Sequence, residues 1–129
     1  MPDVNVLAVL VATVAAFVIG GTYYALLGEQ LAEARDAAAP EEQPAWTMAI
    51  ELLRCLVIAV VVAALASWGQ FNDVAAGLLL GIVLWIGFPF VLWTGAVVHE
   101  GTPLKLAAIH AGDWLLKLLA VATIVGVWQ

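Results

Sequence analysis

The sequence predicts an all-α integral membrane protein: a single domain built as an up-down bundle of four transmembrane helices. Three observations predict it. Of 129 residues, 65% are hydrophobic and 11% charged, where an ordinary soluble domain is about 45–50% apolar and about 25% charged. The apolar residues gather in four stretches, 5–27, 46–68, 74–98 and 104–128, each longer than the roughly 20 residues that cross ~30 Å of hydrocarbon as a helix. The alternating ten-residue segments of a membrane β-barrel are absent. This composition excludes most soluble enzymes and disordered chains. With 4 Lys+Arg against 10 Asp+Glu, it also offers no basic surface for nucleic acid. The one cysteine, Cys55, excludes an intrachain disulfide and lies in an apolar run as a small buried hydrophobe.

Residues 5–27 read as a retained helix. No Lys or Arg precedes Arg35, the run is too long for a signal-peptide core, and it passes without a cleavage motif into GEQLAEARD. Ala8, Ala12, Ala16 and Gly20 form a small-residue seam at four-residue spacing, the device that lets helix backbones approach in lipid. The link 28–45 begins with an alanine-rich polar stretch, predicted to extend the helix into water until Pro40 and Pro44 break it. Residues 46–68 repeat the seam with Ala59, Ala63 and Ser67. The 69–73 turn offers Asn72 or Asp73 as helix cap.

The stretch 74–98 carries the pair Gly77 and Gly81, and its Pro89 predicts a kink near Gly87 and a candidate hinge. In the 99–103 turn, Thr102 suits the N-cap and Pro103 the first helical position of the last span; His99 and Glu100 read as solvated. That span, 104–128, has Ala108 and Gly112 as its small-residue pair. Short connections make consecutive helices antiparallel neighbours.

Orientation follows from the positive charges. The side that holds both termini and the 69–73 turn has no Lys or Arg; the other holds Arg35, Arg54 and Lys105. The positive-inside rule places the 28–45 and 99–103 loops in the cytoplasm and both termini outside, in the cytoplasmic membrane. Tyr23, Tyr24, Trp46 and Trp93 then fall near the inner boundary, and Trp68, Phe71 and Trp128 near the outer. Trp85 and Trp114 sit near mid-span, where an indole N–H needs a partner. Tyr23, Trp85, Trp93 and Trp114 are the candidate lining of any pocket.

Ionisable residues inside the slab are where function is to be sought. His110, Asp113 and Lys117 share one stripe of the last span, and Glu51 and Arg54 form an i, i+3 pair on the second. If both helices start level, Arg54 lies roughly 12 Å along its helix and Asp113 roughly 14 Å along its own, so that the two are placed to pair. Glu51 falls one turn shallower, nearer His110, and Lys117 has Asp113 four residues back. Asp113 and Lys117 cost the last span roughly 5–7 kcal/mol, against roughly 3–7 contributed by its Leu, Ile and Val residues. The stripe must therefore face other helices, or a second copy of the chain, and not lipid.

Three readings of Glu51, Arg54, His110, Asp113 and Lys117 stay open: a buried network that fixes helix register, a proton or ion relay, and a pocket for a small polar or anionic molecule. No metal-ligand spacing, cofactor motif or nucleophile–base pair is visible, so enzymatic chemistry is not expected. The surplus of small-residue seams points to a homo-oligomer in the bilayer.

Residues 5–24 (NVLAVLVATVAAFVIGGTYY), 77–88 (GLLLGIVLWIGF) and 100–115 (EGTPLKLAAIHAGDWL) together resemble the bacterial membrane-protein family called domain of unknown function 1761. The most specific piece is the GxxxGxxxWxGF pattern, followed by the acidic-Gly-x-Pro turn and Lys105-Leu106. The resemblance implies a four-helix inner-membrane protein and brings no catalytic residues with it.

Overall fold

A computed structural model describes residues 2–35 and 44–128. The link's Pro40 and the end of its predicted helix lie outside the described residues. Helix α1 is Val6–Leu26, α2 Gly28–Arg35 and α3 Ala45–Gly69. The third span is continuous from α4 (Val74–Trp85) through a π-helical turn (Ile86–Phe90) into α5 (Val91–Glu100), and α6 is Leu104–Val127. Four helices, α1, α3, α4–α5 and α6, are long and apolar enough to cross a membrane. Their outward faces expose Val, Leu, Ile and Phe almost throughout, which in water would be untenable over so large an area. The protein is a multi-pass membrane protein.

Each boundary has a local cause. Asn5 caps α1 by accepting from the Leu7 and Ala8 amides, while its own side-chain amide donates to the Trp128 carbonyl at 3.0 Å. That bond holds the two chain ends together, and α1 therefore runs antiparallel to α6. Asp73 rather than Asn72 caps α4, accepting from Ala76 N–H at 2.8 Å. Thr102 does not cap α6. Its amide turns back to the Ala96 carbonyl at 3.1 Å, with Gly101 before it at φ 69°, so both residues close α5 and Pro103 stands at the start of α6.

At the kink predicted near Gly87 the helix carries a widened turn, Ile86–Phe90. Pro89 has no N–H to give, and its ring would strike the Trp85 carbonyl in a regular α-helix; one residue more per turn relieves both.

Helix α6 lies at the centre and packs against α1, α3, α4 and α5. A side chain on Gly77 would begin 2.8 Å from the Ala122 carbonyl oxygen, and one on Gly81 2.9 Å from that of Leu118. The two backbones are in direct contact, which is what the GxxxG pattern permits. The α1 seam is buried in full against α3 and α6, and Ala59 and Ala63 face it from α3. Small-residue seams thus meet within one chain. The last-span pair is divided: Ala108 is exposed, while a side chain on Gly112 would collide with the Tyr23 hydroxyl, and α6 makes its close backbone contacts at Leu118, Ala122 and Gly126.

One consequence departs from simple neighbour packing. Although the 70–73 turn joins them, α3 and α4 scarcely touch, because α4 is bound to α6. An apolar cleft of about 570 Å³ opens between α3 and the π turn, floored by Trp114 and Leu118.

Gly81→Leu should force α4 off α6 and lower stability by about 1–3 kcal/mol. Gly95→Ala, whose new carbon meets nothing within 4 Å, should leave stability unchanged or raise it. Thermal unfolding in detergent, followed by circular dichroism, checks the pair.

Candidate functional site

The ionisable stripe on α6 follows from helical geometry: His110, Asp113, Trp114 and Lys117 recur at three- and four-residue intervals and so share a face. That face looks onto α1, where the seam ends at Gly20, and onto the first turns of α3, which carry Glu51 and Arg54. Together these helices, with α2 and Trp93 of α5, wall a cavity of about 690 Å³ in the half of the bundle nearest the link. Its size falls within the range of small-molecule sites.

Four charges run through it in alternating sign. Arg54 Nη1 donates to Glu51 Oε2 at 2.6 Å, Lys117 Nζ to Glu51 Oε1 at 3.0 Å, and Lys117 Nζ also reaches Asp113 Oδ2 at 3.0 Å. Side-chain exposure falls along the chain, from 57% at Arg54 and 33% at Glu51 to 5% at Lys117 and 4% at Asp113. Charge balances over the set, and balance is what permits ions at this depth. Gly20 makes room for it: a side chain there would begin 2.8 Å from Lys117 Cε and 2.9 Å from Nζ. Cys55 is buried beside the chain, its thiol 3.8 Å from Glu51 Oε1.

The Lys117–Asp113 pair is found, but Arg54 and Asp113 do not pair. Level helix starts are the assumption that fails. Contacts at the terminal end, Asp3 N–H to Ser67 Oγ and Asn5 to Trp128, set the true register. Counted from there, Glu51 lies about 24 Å from the level of Ser67 and Asp113 about 22 Å from that of Trp128. The two carboxylates thus share a level, and Arg54 stands a turn nearer the termini. Lysine side chains lean toward the start of their helix, which carries the Lys117 ammonium back between the carboxylates.

Aromatic residues close the site. Tyr24 Oη lies 2.7 Å from His110 Nδ1, and the Trp93 indole stacks on the same imidazole at 4.8 Å and 16°. Tyr23 donates to the Ile109 carbonyl at 2.6 Å. These three side chains turn toward α6, and each is half-buried. Of the candidate lining residues, Trp93 and Trp114 border the polar cavity. Tyr23 does not, and Trp85 donates to the Ala111 carbonyl at 2.8 Å on the far side of α6. Pro89 borders the apolar cleft. Tyr24 borders the polar cavity without being singled out by the sequence pattern, although it is the next position in the four-residue series that ends at Gly20.

Two buried polar atoms in these walls lack a hydrogen-bond partner among the described residues, Asp113 Oδ1 and Trp93 Nε1. One can only accept when ionised and the other can only donate. No group of three His, Cys, Asp or Glu side chains suited to a metal ion occurs among the described residues.

Comparison with known proteins adds one result. The family described as "Protein of unknown function (DUF1761)" matches residues 7–126. The chain belongs to the DUF1761 family. No curated protein and no solved structure matches it. In this DUF1761 protein, the matched range takes in every residue of the ion chain and of the cavity wall.

Lys117→Met leaves Asp113 without a cation and should cost about 3–5 kcal/mol. Asp113→Asn with Lys117→Met removes one charge of each sign and leaves Glu51 to Arg54, so it should cost clearly less than the two single changes added together. Denaturant unfolding across this cycle tests the coupling; strict additivity would refute it.

Proposed function

We propose that the protein is a non-enzymatic, proton-linked carrier for a small solute, with the 690 Å³ cavity as its solute compartment and the Arg54–Glu51–Lys117–Asp113 chain as its charge relay. The observation that carries the reading is the contrast between the two halves of the bundle. Towards the termini, Ala12, Ala16, Ala59, Ala63, Val121 and Val125 are packed to near-complete burial. Towards the link, the same helices part around a polar cavity. A cavity in one half of the bundle with close packing in the other is what one state of an alternating carrier requires, whereas a continuous channel would need space in both halves. The π turn at Pro89 supplies a hinge in the third span, since such turns depart from the regular ladder and recur at functional sites.

A purely structural cluster is the second reading. The Asp113–Lys117 pair favours it, because both partners lie on one helix and both are buried. Proteoliposomes separate the two. With an imposed potassium diffusion potential, proton uptake read by an internal pH dye should exceed that of empty vesicles. It should fall to their level in the Asp113→Asn, Lys117→Met variant while that variant stays folded. Undiminished uptake in the variant would leave only the structural reading.

The positive charges Arg54 and Lys105 lie toward the link, and the turn at 70–73 holds none. We therefore orient the cavity toward the cytoplasm of a cell whose plasma membrane holds the protein. In a Cys55→Ala background, Asn72→Cys should react with an impermeant maleimide on intact cells, and Glu100→Cys only after permeabilisation. The opposite pattern would reverse the orientation.

A further inference from the structure

Trp114 lies in the wall of both the polar cavity and the apolar cleft. The two spaces follow one another along the same helices. On α3 the lining passes from Glu51 and Arg54 to Val57, Ile58 and Val61; on α6 it passes from Asp113 and Lys117 to Leu118; and on the third span it passes from Trp93 to Phe88. Because α3 scarcely touches α4, this run forms a slot along the side of the bundle, polar toward the link and apolar toward mid-membrane. A tryptophan at the seam suits such a change of surroundings, with its apolar ring and single polar N–H.

We propose that the slot binds a membrane amphiphile with one apolar chain and an uncharged hydrogen-bonding head. The head occupies the polar cavity and donates to Asp113 Oδ1; the chain lies over Trp114 in the cleft between α3 and the π turn. Three features select this class. The cleft's lining is apolar from Val57 to Leu118, so it accepts a hydrocarbon chain and offers nothing to a polar solute. Asp113 Oδ1 is a buried acceptor with no partner among the described residues, and it requires a donor. The four charges around it already balance, so a head with a full charge of either sign would meet an unmatched neighbour, whereas a hydroxyl would not. The inference builds on the carrier reading by naming its substrate class, and it is tested by binding alone.

The probe is a monoacylglycerol with a diazirine in its chain, compared with the corresponding alkane that lacks the head. Both are photolysed with the full chain in phosphatidylcholine nanodiscs, and the labelled residues are found by peptide mass spectrometry. Label from the monoacylglycerol should concentrate at Val61, Phe88 and Leu92, exceed that from the alkane about tenfold, and be displaced by unlabelled monoacylglycerol. Gly87→Leu should remove it, since Gly87 borders the cleft and a carbon added there meets nothing within 4 Å, which leaves the new side chain room to fill the space. Asp113→Val with Lys117→Met removes the acceptor without leaving a lone charge, and should reduce the headed probe to the level of the alkane.

Equal labelling by both probes, label spread over the outer faces of α1 and α3, or label unaffected by either variant would each overturn the proposal. Absence of proton uptake above that of empty vesicles in the unaltered protein, with binding intact, would instead remove the carrier reading and leave this site standing.

Discussion

A lysine ammonium held within hydrocarbon must be surrounded by oxygen, and the rest of this bundle is arranged around that requirement. Lys117 is 5% exposed on a helix with little apolar surplus to offset it. Its two acceptors come from different helices, Asp113 one turn back on α6 and Glu51 across on α3. Its aliphatic stem lies against Gly20 of α1, where any side chain would collide with it. Three helices are thereby fixed to one another at one level, and the interaction fits the register of α3 against α6 that the contacts at the terminal end set. Exposure of any of these charges to lipid would cost several kcal/mol, so the interaction excludes alternative rotations of α6 more strongly than apolar contact can. Between helices in lipid, apolar contact has little preference of its own.

Glycine decides the other half of the arrangement. Gly77 and Gly81 bring α4 against the α6 backbone, and α6 becomes the central helix with a partner on every side. A four-residue turn would otherwise favour α3 and α4 lying together. The close α4–α6 contact outweighs that proximity in sequence, and the gap it leaves is the apolar cleft. Packing that is tight in one direction thus produces space in another.

Much of this was legible in the sequence, and the division between what was and was not has a physical basis. Span length and number depend on composition alone. The seams on α1 and at Gly77–Gly81, the cap at Asp73 and the pairing of Asp113 with Lys117 depend on positions within one helix, which periodicity reports directly. Relations between helices are different. The stagger of α3 against α6 rests on contacts such as Asp3 with Ser67 at the far end of the bundle, and nothing local encodes it. A one-turn error there exchanges Glu51 for Arg54 as the residue at the level of Asp113. Tyr23, Tyr24 and Trp93 show the same limit: their positions suit a membrane boundary, and only the placement of α6 shows that they face Ile109 and His110. Thr102 fits the composition of a cap, yet the positive φ of Gly101 commits its amide to the preceding helix.

The third span joins these constraints. Its first half is bound through glycine to α6, while none of its residues from Val91 to Glu100 is buried. Between the two lies a turn whose regular ladder Pro89 has already interrupted. If α4 stays fixed, motion of α5 about that turn would alter the cleft through Phe88 and Leu92, and the polar cavity through the stack of Trp93 on His110. The ion chain would remain in place throughout, because none of its four members belongs to the third span. Opening of the slot is thereby separated from the charges that hold the bundle together. A carrier of the kind proposed, which would keep Lys117 paired while it admits a ligand, needs that separation.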